Sequence, residues 1–275
     1  HVMGTKVAES FLVEGGTARW RSNEESGERA VGSKPAFYLP SAFLPDTLGL
    51  LAEALLRSGG SLDLLPAGEA RIEKTGELTL KDGGQNRHVT SYAVSGLDLR
   101  PMHVWMNDDG SWFGTFSAWE SVVPAGWESA VDTLVERQRQ LDLGRDARLA
   151  QAQAHRPPPT GLAFTHARVL DVAAGRYRDD QTVLVVGDVI KAVGASAAAK
   201  VPVGAEVVDL AGKTLLPGLW DMHAHLGDAD GALDIASGVT TVRDVGNDPD
   251  RLDEYKKRYD DGSAIGPRVI RYGFV

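Results

Sequence analysis

The 275 residues carry 43% hydrophobic and 24% charged side chains and a formal charge of -9, an ordinary globular composition in a chain long enough for two domains. The absence of cysteine excludes disulfides, thiolate catalysis and cysteine-ligated zinc, and the acidic balance argues against non-specific nucleic-acid binding. No apolar run approaches the roughly 20 residues of a membrane-spanning helix. The compartment stays open between cytoplasmic and exported bacterial, because no signal peptide is visible and His1-Val2-Met3-Gly4 reads as an expression remnant.

Residues 5–40 read as strands, with Phe11-Leu12-Val13 and Thr17 to Arg21 joined by a Gly15-Gly16 turn. Pro45-Asp46 opens a helix whose Leu48, Leu51, Ala52 and Leu55 fall at i, i+3, i+4 and i+7, and Gly59-Gly60 ends it. From Glu69 to Ser117 the pattern is strand-like again: 71–73, 78–80, 89–94 and 102–106, then the turn signal Asn107-Asp108-Asp109-Gly110, then 111–116. Trp127, Val131, Leu134 and Leu141 mark one stripe of a helix running to about Ala150. Residues 1–150 are therefore expected to form an α+β domain, an antiparallel sheet with two helices. Residues 151–160, with Pro157-Pro158-Pro159, read as a linker.

Beyond it, short strands are expected at 164–170, 182–186, 189–193 and 206–210, with 171–180 a turn region and Gly187-Asp188 a hairpin turn. The nearly continuous apolar run 214–220 reads as a strand buried on both faces. A turn or two of helix at 232–236 follows, then a strand at 239–243. Asp248-Pro249 opens a helix with Leu252, Tyr255 and Tyr259 as its buried stripe, Gly262 stops it, and 268–272 is a last strand. The order βαβαβ implies a parallel sheet.

The apolar run ends in Asp221-Met222-His223-Ala224-His225. On a strand, side chains at i and i+2 share a face, so His223 and His225 point the same way and can chelate one metal ion. The C-terminal strand ends of parallel α/β folds are where sites are built, and zinc accepts neutral imidazole but needs further ligands to complete its shell. The alternative reading is a pair of structural or exposed histidines.

Residues 162–275 resemble the N-terminal portion of the metal-dependent amidohydrolase superfamily, close to its imidazolonepropionase-like and prolidase-like branches. The resemblance rests on Ala167-Arg168-Val169-Leu170-Asp171, the run from Val208 to Gly218, Asp221 to Leu226, and Gly238-Val239-Thr240-Thr241-Val242-Arg243-Asp244. It implies that residues 161–213 form part of a small β-sandwich and residues 214–275 the first three strands of a (β/α)₈ TIM-type barrel. It implies that His223 and His225 are metal ligands, that zinc is the ion, with one or two in a complete enzyme, and that amide-like C–N bonds of peptides or cyclic amides are hydrolysed. In that family a lysine, two more histidines and an aspartate base come from later strands, and no histidine follows His225. The expectation is that the missing groups lie in a further C-terminal part, possibly a separate polypeptide, that the isolated chain is inactive, and that it assembles as an oligomer. Substrates would be small molecules or peptides.

Asp221, two residues before His223, is a candidate to orient an imidazole, or belongs to a polar layer of the barrel floor. Asp244 ends the next strand, where a structural role with nearby backbone is expected. Asp228 and Asp230 read as solvated loop carboxylates, and His88, His103, His155 and His166 show no ligand spacing. Trp105, Trp112, Phe113, Phe116, Trp119 and Trp127 concentrate aromatic bulk in the first domain. They read as the core of a curved sheet or, alternatively, as the groove of a non-catalytic module that binds an apolar ligand or partner and carries the barrel piece as a passenger.

Overall fold

The structure, a computed structural model, describes residues 8–32, 35–41, 43–82, 84–117 and 120–272. The fold is mixed α/β, with several sheets and few helices, and divides into two compact units, His1–Arg145 and Asp146–Val275. Trp119 and the first four residues lie outside the described residues.

The first unit opens with an antiparallel meander of β1 (Ser10–Glu14), β2 (Thr17–Arg21) and β3 (Ser26–Ala30). Gly15 and Gly16 turn the chain at φ of 56° and 75°, a region open to glycine because it lacks Cβ. A seven-stranded sheet follows, built from β4 (Ala36–Tyr38), β5 (Ser61–Leu65), β6 (Glu69–Asp82), β7 (Gln85–Ser95), β8 (Met102–Asn107), β9 (Trp112–Phe116) and β10 (Ser121–Val122), ordered β10-β9-β8-β7-β6-β5-β4. The sheet is not wholly antiparallel. β4 and β5 are parallel, because helix α1 (Pro45–Arg57) connects them and a helix-long crossover returns the chain in the same direction. Residues 71–73 and 78–80 belong to one 14-residue strand. A register shift between Lys74 and Gly76 takes up the break in alternation without ending the pairing.

The apolar stripe of α1 is buried as its spacing predicts. Leu48, Leu51, Ala52 and Leu55 pack with Leu62, Leu64, Val94, Val104 and Met106 of the sheet, each large side chain contributing about 1.5–3 kcal/mol of transfer free energy. Helix α2 (Val131–Gln153) begins after a 3₁₀ turn at Glu128–Ala130 and runs three residues into the segment expected to be linker. Its Leu134 joins Leu80, Val89, Trp105, Phe113, Phe116 and Trp127 in a second core. Trp105, Phe113, Phe116 and Trp127 therefore lie in this core, and Trp112 packs against the α1 core.

In the second unit, β11 (Leu162–Asp171), β12 (Arg176–Val186), β13 (Val189–Ala195), β14 (Glu206–Asp209) and β15 (Thr214–Leu215) form one sheet, ordered β13-β12-β11-β14 with β15 also on β11. Among the described residues no second layer completes a sandwich. The turn expected over 171–180 is shorter, since β12 already begins at Arg176. A separate parallel sheet, β16 (Leu219–Ala224), β17 (Val239–Asp244) and β18 (Arg268–Arg271), is connected by α3 (Asp230–Ala236) and α4 (Pro249–Asp260), the βαβαβ order read from the sequence. Its core is Ala224, Leu226, Val242, Leu252, Tyr255 and Val269. Asp248 caps α4, its side chain accepting from the Asp250 N–H, ahead of Pro249 at the first helical position.

The run 214–220 is not one buried strand. β15 pairs with β11 and β16 with β17, and the break falls at Pro217, which has no N–H to donate to a ladder. Trp220 is 58% exposed and Met222 50% exposed.

Candidate metal centre

His223 lies in β16 and His225 one residue beyond its end. Their rings tilt 50° to each other with centroids 5.3 Å apart, and Nε2 of one stands 3.3 Å from Nε2 of the other. A direct N–H···N bond is usually shorter, about 2.7–3.2 Å. Two zinc–imidazole bonds of about 2.0–2.1 Å opening at a tetrahedral angle separate their nitrogens by about 3.3–3.4 Å. The donor type and the separation thus fit two positions of a zinc shell. Among the described residues, no group of three or more His, Cys, Asp or Glu side chains could hold an ion.

What holds His225 in place comes from the neighbouring strand. Asp244, at the end of β17, is fully buried. Its carboxylate accepts from the N–H of Leu226 at 2.6 Å, from the N–H groups of Gly246 and Asn247 at 3.0 Å each, and from Asn247 Nδ2 at 2.7 Å. Asn247 Nδ2 also donates to the Leu226 carbonyl at 3.0 Å. Burial pushes the Asp244 carboxyl up, but the hydrogen bonds from Leu226, Gly246 and Asn247 outweigh it and hold the group below its ordinary value. One carboxylate thereby ties the chain just after His225 to the loop after β17. That loop brings Gly246 against the imidazole: a Cβ on Gly246 would sit 2.0 Å from His225 Nδ1 and 2.2 Å from Cε1. The ring rests on bare backbone on its Nδ1 side, and Nε2 is the atom turned toward His223.

Asp221 Oδ1 accepts from the main-chain N–H of His223 at 2.9 Å, so its hold on the motif runs through the backbone. Asp228 is not a free loop carboxylate; its Oδ1 accepts from the Tyr255 hydroxyl at 2.6 Å. Asp230 Oδ2 accepts from the Gly227 N–H at 2.7 Å. Both brace the loop that follows the histidines. Asp234 of α3 has its carboxyl pushed up by burial and by the nearby charges of Asp230 and Asp221. Among the described residues, the other four histidines each meet a carboxylate: His88 with Asp108, His103 with Asp142, His155 with Glu206 and His166 with Asp180. Gly246 and Asn247 were not legible as site residues, since their part depends on a contact across strands. The one available signal was the glycine two residues beyond the Asp244 strand end.

No protein-family model matches the chain. A dihydroorotase from Streptomyces coelicolor is 52% identical over 48 residues, 18% of this chain and 10% of that protein. Among solved structures, a candidate prolidase from Bifidobacterium longum matches at 27% identity over 43% of this chain and 31% of its own, with a TM-score of 0.39. Phenylurea hydrolase B matches at 27% identity over 42% and 31%, with a TM-score of 0.36. Each likeness covers less than half of this chain. The match spans a tenth of the dihydroorotase and about a third of each of these two structures. Among the described residues, no helix is long and apolar enough to cross a membrane.

Proposed function

We propose that this chain contributes His223 and His225 as the first two ligands of a metal-dependent hydrolase of amide-like C–N bonds. Zinc is the proposed ion, and peptides or cyclic amides are the substrates. The observation that carries the reading is the 3.3 Å approach of the two Nε2 atoms, the separation two zinc–nitrogen bonds require. In the same reading, β16, β17 and β18 open a (β/α)₈ barrel and β11 to β15 belong to its flanking sandwich. The first unit is a separate domain, and the proline-rich segment after the end of α2 at Gln153 is the linker.

A divalent ion bound there would supply a water of lowered pKa and a Lewis acid for the scissile carbonyl. The chain's own residues prepare the site. The two imidazoles present nitrogen lone pairs to one point. Gly246 leaves room for the His225 ring, and the bonds of Asp244 and Asn247 fix the backbone on which that ring stands. Asp221 holds the backbone of His223. A third ligand and a general base would come from groups beyond those described, on a further C-terminal segment or a partner polypeptide in an oligomer, so residues 1–275 alone would turn nothing over.

Zinc titration of the chain and of the His223→Ala/His225→Ala double variant tests the reading, together with hydrolysis assays on an Xaa-Pro dipeptide and on dihydroorotate. The expected result is zinc binding abolished in the double variant and no hydrolysis by residues 1–275 alone. Zinc binding indifferent to both histidines, or turnover by the chain without a complementing polypeptide, would overturn it.

A further inference from the structure

Arg243 of β17 is a charged group that its surroundings leave unanswered. Its Nε is buried and, among the described residues, meets no hydrogen-bond partner. Its guanidinium carbon lies over the Tyr272 ring, 4.8 Å from the centroid, so an aromatic face steadies the cation without satisfying its donors. The planar fork carries N–H donors and no acceptor. A buried donor left unpaired in a folded protein marks a place where a partner belongs.

Strand alternation puts this group on the histidine side of the sheet. Ala224, Val242 and Val269 pack into one core with Leu252 and Tyr255 of α4, so the residues beside them, His223, His225, Arg243 and Ile270, face the other way. Both histidines are exposed there. Tyr272 follows Ile270 by two and shares its face, and the Tyr272 N–H donates to the Asp244 carbonyl at 3.0 Å. Ala224 pairs with Asp244, which sets His223 on the strand next to Arg243, one strand spacing of about 4.8 Å away. The carboxylates of the same two strands are turned elsewhere. Asp244 accepts from Leu226, Gly246 and Asn247, and Asp221 Oδ1 accepts from the His223 N–H. An anion that meets Arg243 on this face therefore comes from a ligand.

We infer that Arg243 sets specificity in the proposed hydrolase by receiving a carboxylate of the substrate, so that amides bearing an acidic group are taken in preference to neutral ones. A guanidinium grips a carboxylate through two parallel hydrogen bonds, which anchors one end of the substrate while the bond to be cut lies toward His223 and His225. The place of that bond rests on the metal reading; the carboxylate preference needs no ion and stands or falls on Arg243.

Nuclear magnetic resonance titration of the whole chain, zinc-free and zinc-loaded, with N-acetyl-L-alanine and with its neutral amide N-acetyl-L-alaninamide tests it. Charge-assisted bonds to the fork predict saturable binding of the acid, about ten-fold or more tighter than the amide, in both preparations. Arg243→Gln should abolish that preference without altering zinc affinity. Arg243→Lys, which keeps the charge and loses the fork, should retain part of it. Tyr272→Leu, at a half-exposed position, should lower the preference about two- to five-fold by freeing the guanidinium, and serves if Arg243→Gln fails to fold. Equal affinity for acid and amide, no saturable binding of the acid, or a preference unmoved by Arg243→Gln or by Tyr272→Leu would overturn the assignment. Zinc binding indifferent to both histidines, with an acid preference that follows Arg243, would instead overturn the metal reading and uphold the carboxylate site.

Discussion

Gly246→Ala separates the histidine site from the fold that carries it. Gly246 does not have a positive φ, so alanine meets no backbone strain there. The obstacle is the His225 ring, 2.0 Å from the added carbon at Nδ1 and 2.2 Å at Cε1. An unstrained contact needs about 3.5 Å, so the ring must retreat by about 1.5 Å. Metal–ligand distances tolerate only about 0.2 Å, so a retreat of that size takes Nε2 out of the shell. The fold should hardly notice. His225 is exposed and its ring can swing into solvent, keeping the stability change within about 0.5 kcal/mol. Zinc affinity should fall about 10–100-fold, the scale for losing a group that positions a ligand. Competition against a chromophoric zinc chelator gives the affinity, and urea unfolding of the same preparation gives the stability. Unchanged zinc affinity in a folded Gly246→Ala protein would refute the argument, because it would mean that the ring position seen here does not matter for binding.

Asp244→Ala removes the acceptor for three main-chain N–H groups and one side-chain amide. At about 1–3 kcal/mol per buried donor left unsatisfied, it should cost at least about 3 kcal/mol in urea unfolding. Gly49→Ala should destabilise although alanine is the better helix former by about 1 kcal/mol. The added carbon lies 2.4 Å from Trp112 Cδ2, and such overpacking costs about 1–3 kcal/mol, so a raised melting temperature would contradict the packing described. Asp142 has its carboxyl pushed up by burial, but held below its ordinary value overall by His103, Arg145 and Arg100. A depressed folded-state value means that Asp142 stabilises the fold above its unfolded pKa of about 3.9. That contribution is lost as pH falls through the lower folded value. Denaturation profiles from pH 6 to pH 2 should show a steeper acid loss in the wild type than in Asp142→Asn, and identical slopes would contradict the ion cluster.

Periodicity carried most of the local structure. The leucine stripe of α1, the Asp-Pro start of α4, the Gly15-Gly16 turn and the βαβαβ order of the second unit were all legible, because each depends on neighbours within a few residues. The misreadings share one cause. Nothing local in Ala36–Tyr38 shows that its partner is Ser61–Leu65, so the parallel pair in the first sheet was missed. Nothing local in 214–220 shows that its halves join different sheets, so two short strands were read as one. The aromatic cluster was ambiguous for the same reason: whether Trp105 and Trp127 line a groove or fill a core depends on α2 packing over them. In the site, the i, i+2 spacing of His223 and His225 pointed to a shared face. The buried Asp244 clamp and the bare Gly246 surface appear only once β17 lies beside β16.

X-ray absorption at the zinc edge tests most directly whether the two imidazoles share an ion. The zinc-loaded chain should show two imidazole nitrogens at about 2.0–2.1 Å, and both should disappear from the spectrum of His223→Ala/His225→Ala. A zinc shell without imidazole, or one the double variant leaves unaltered, would contradict the account.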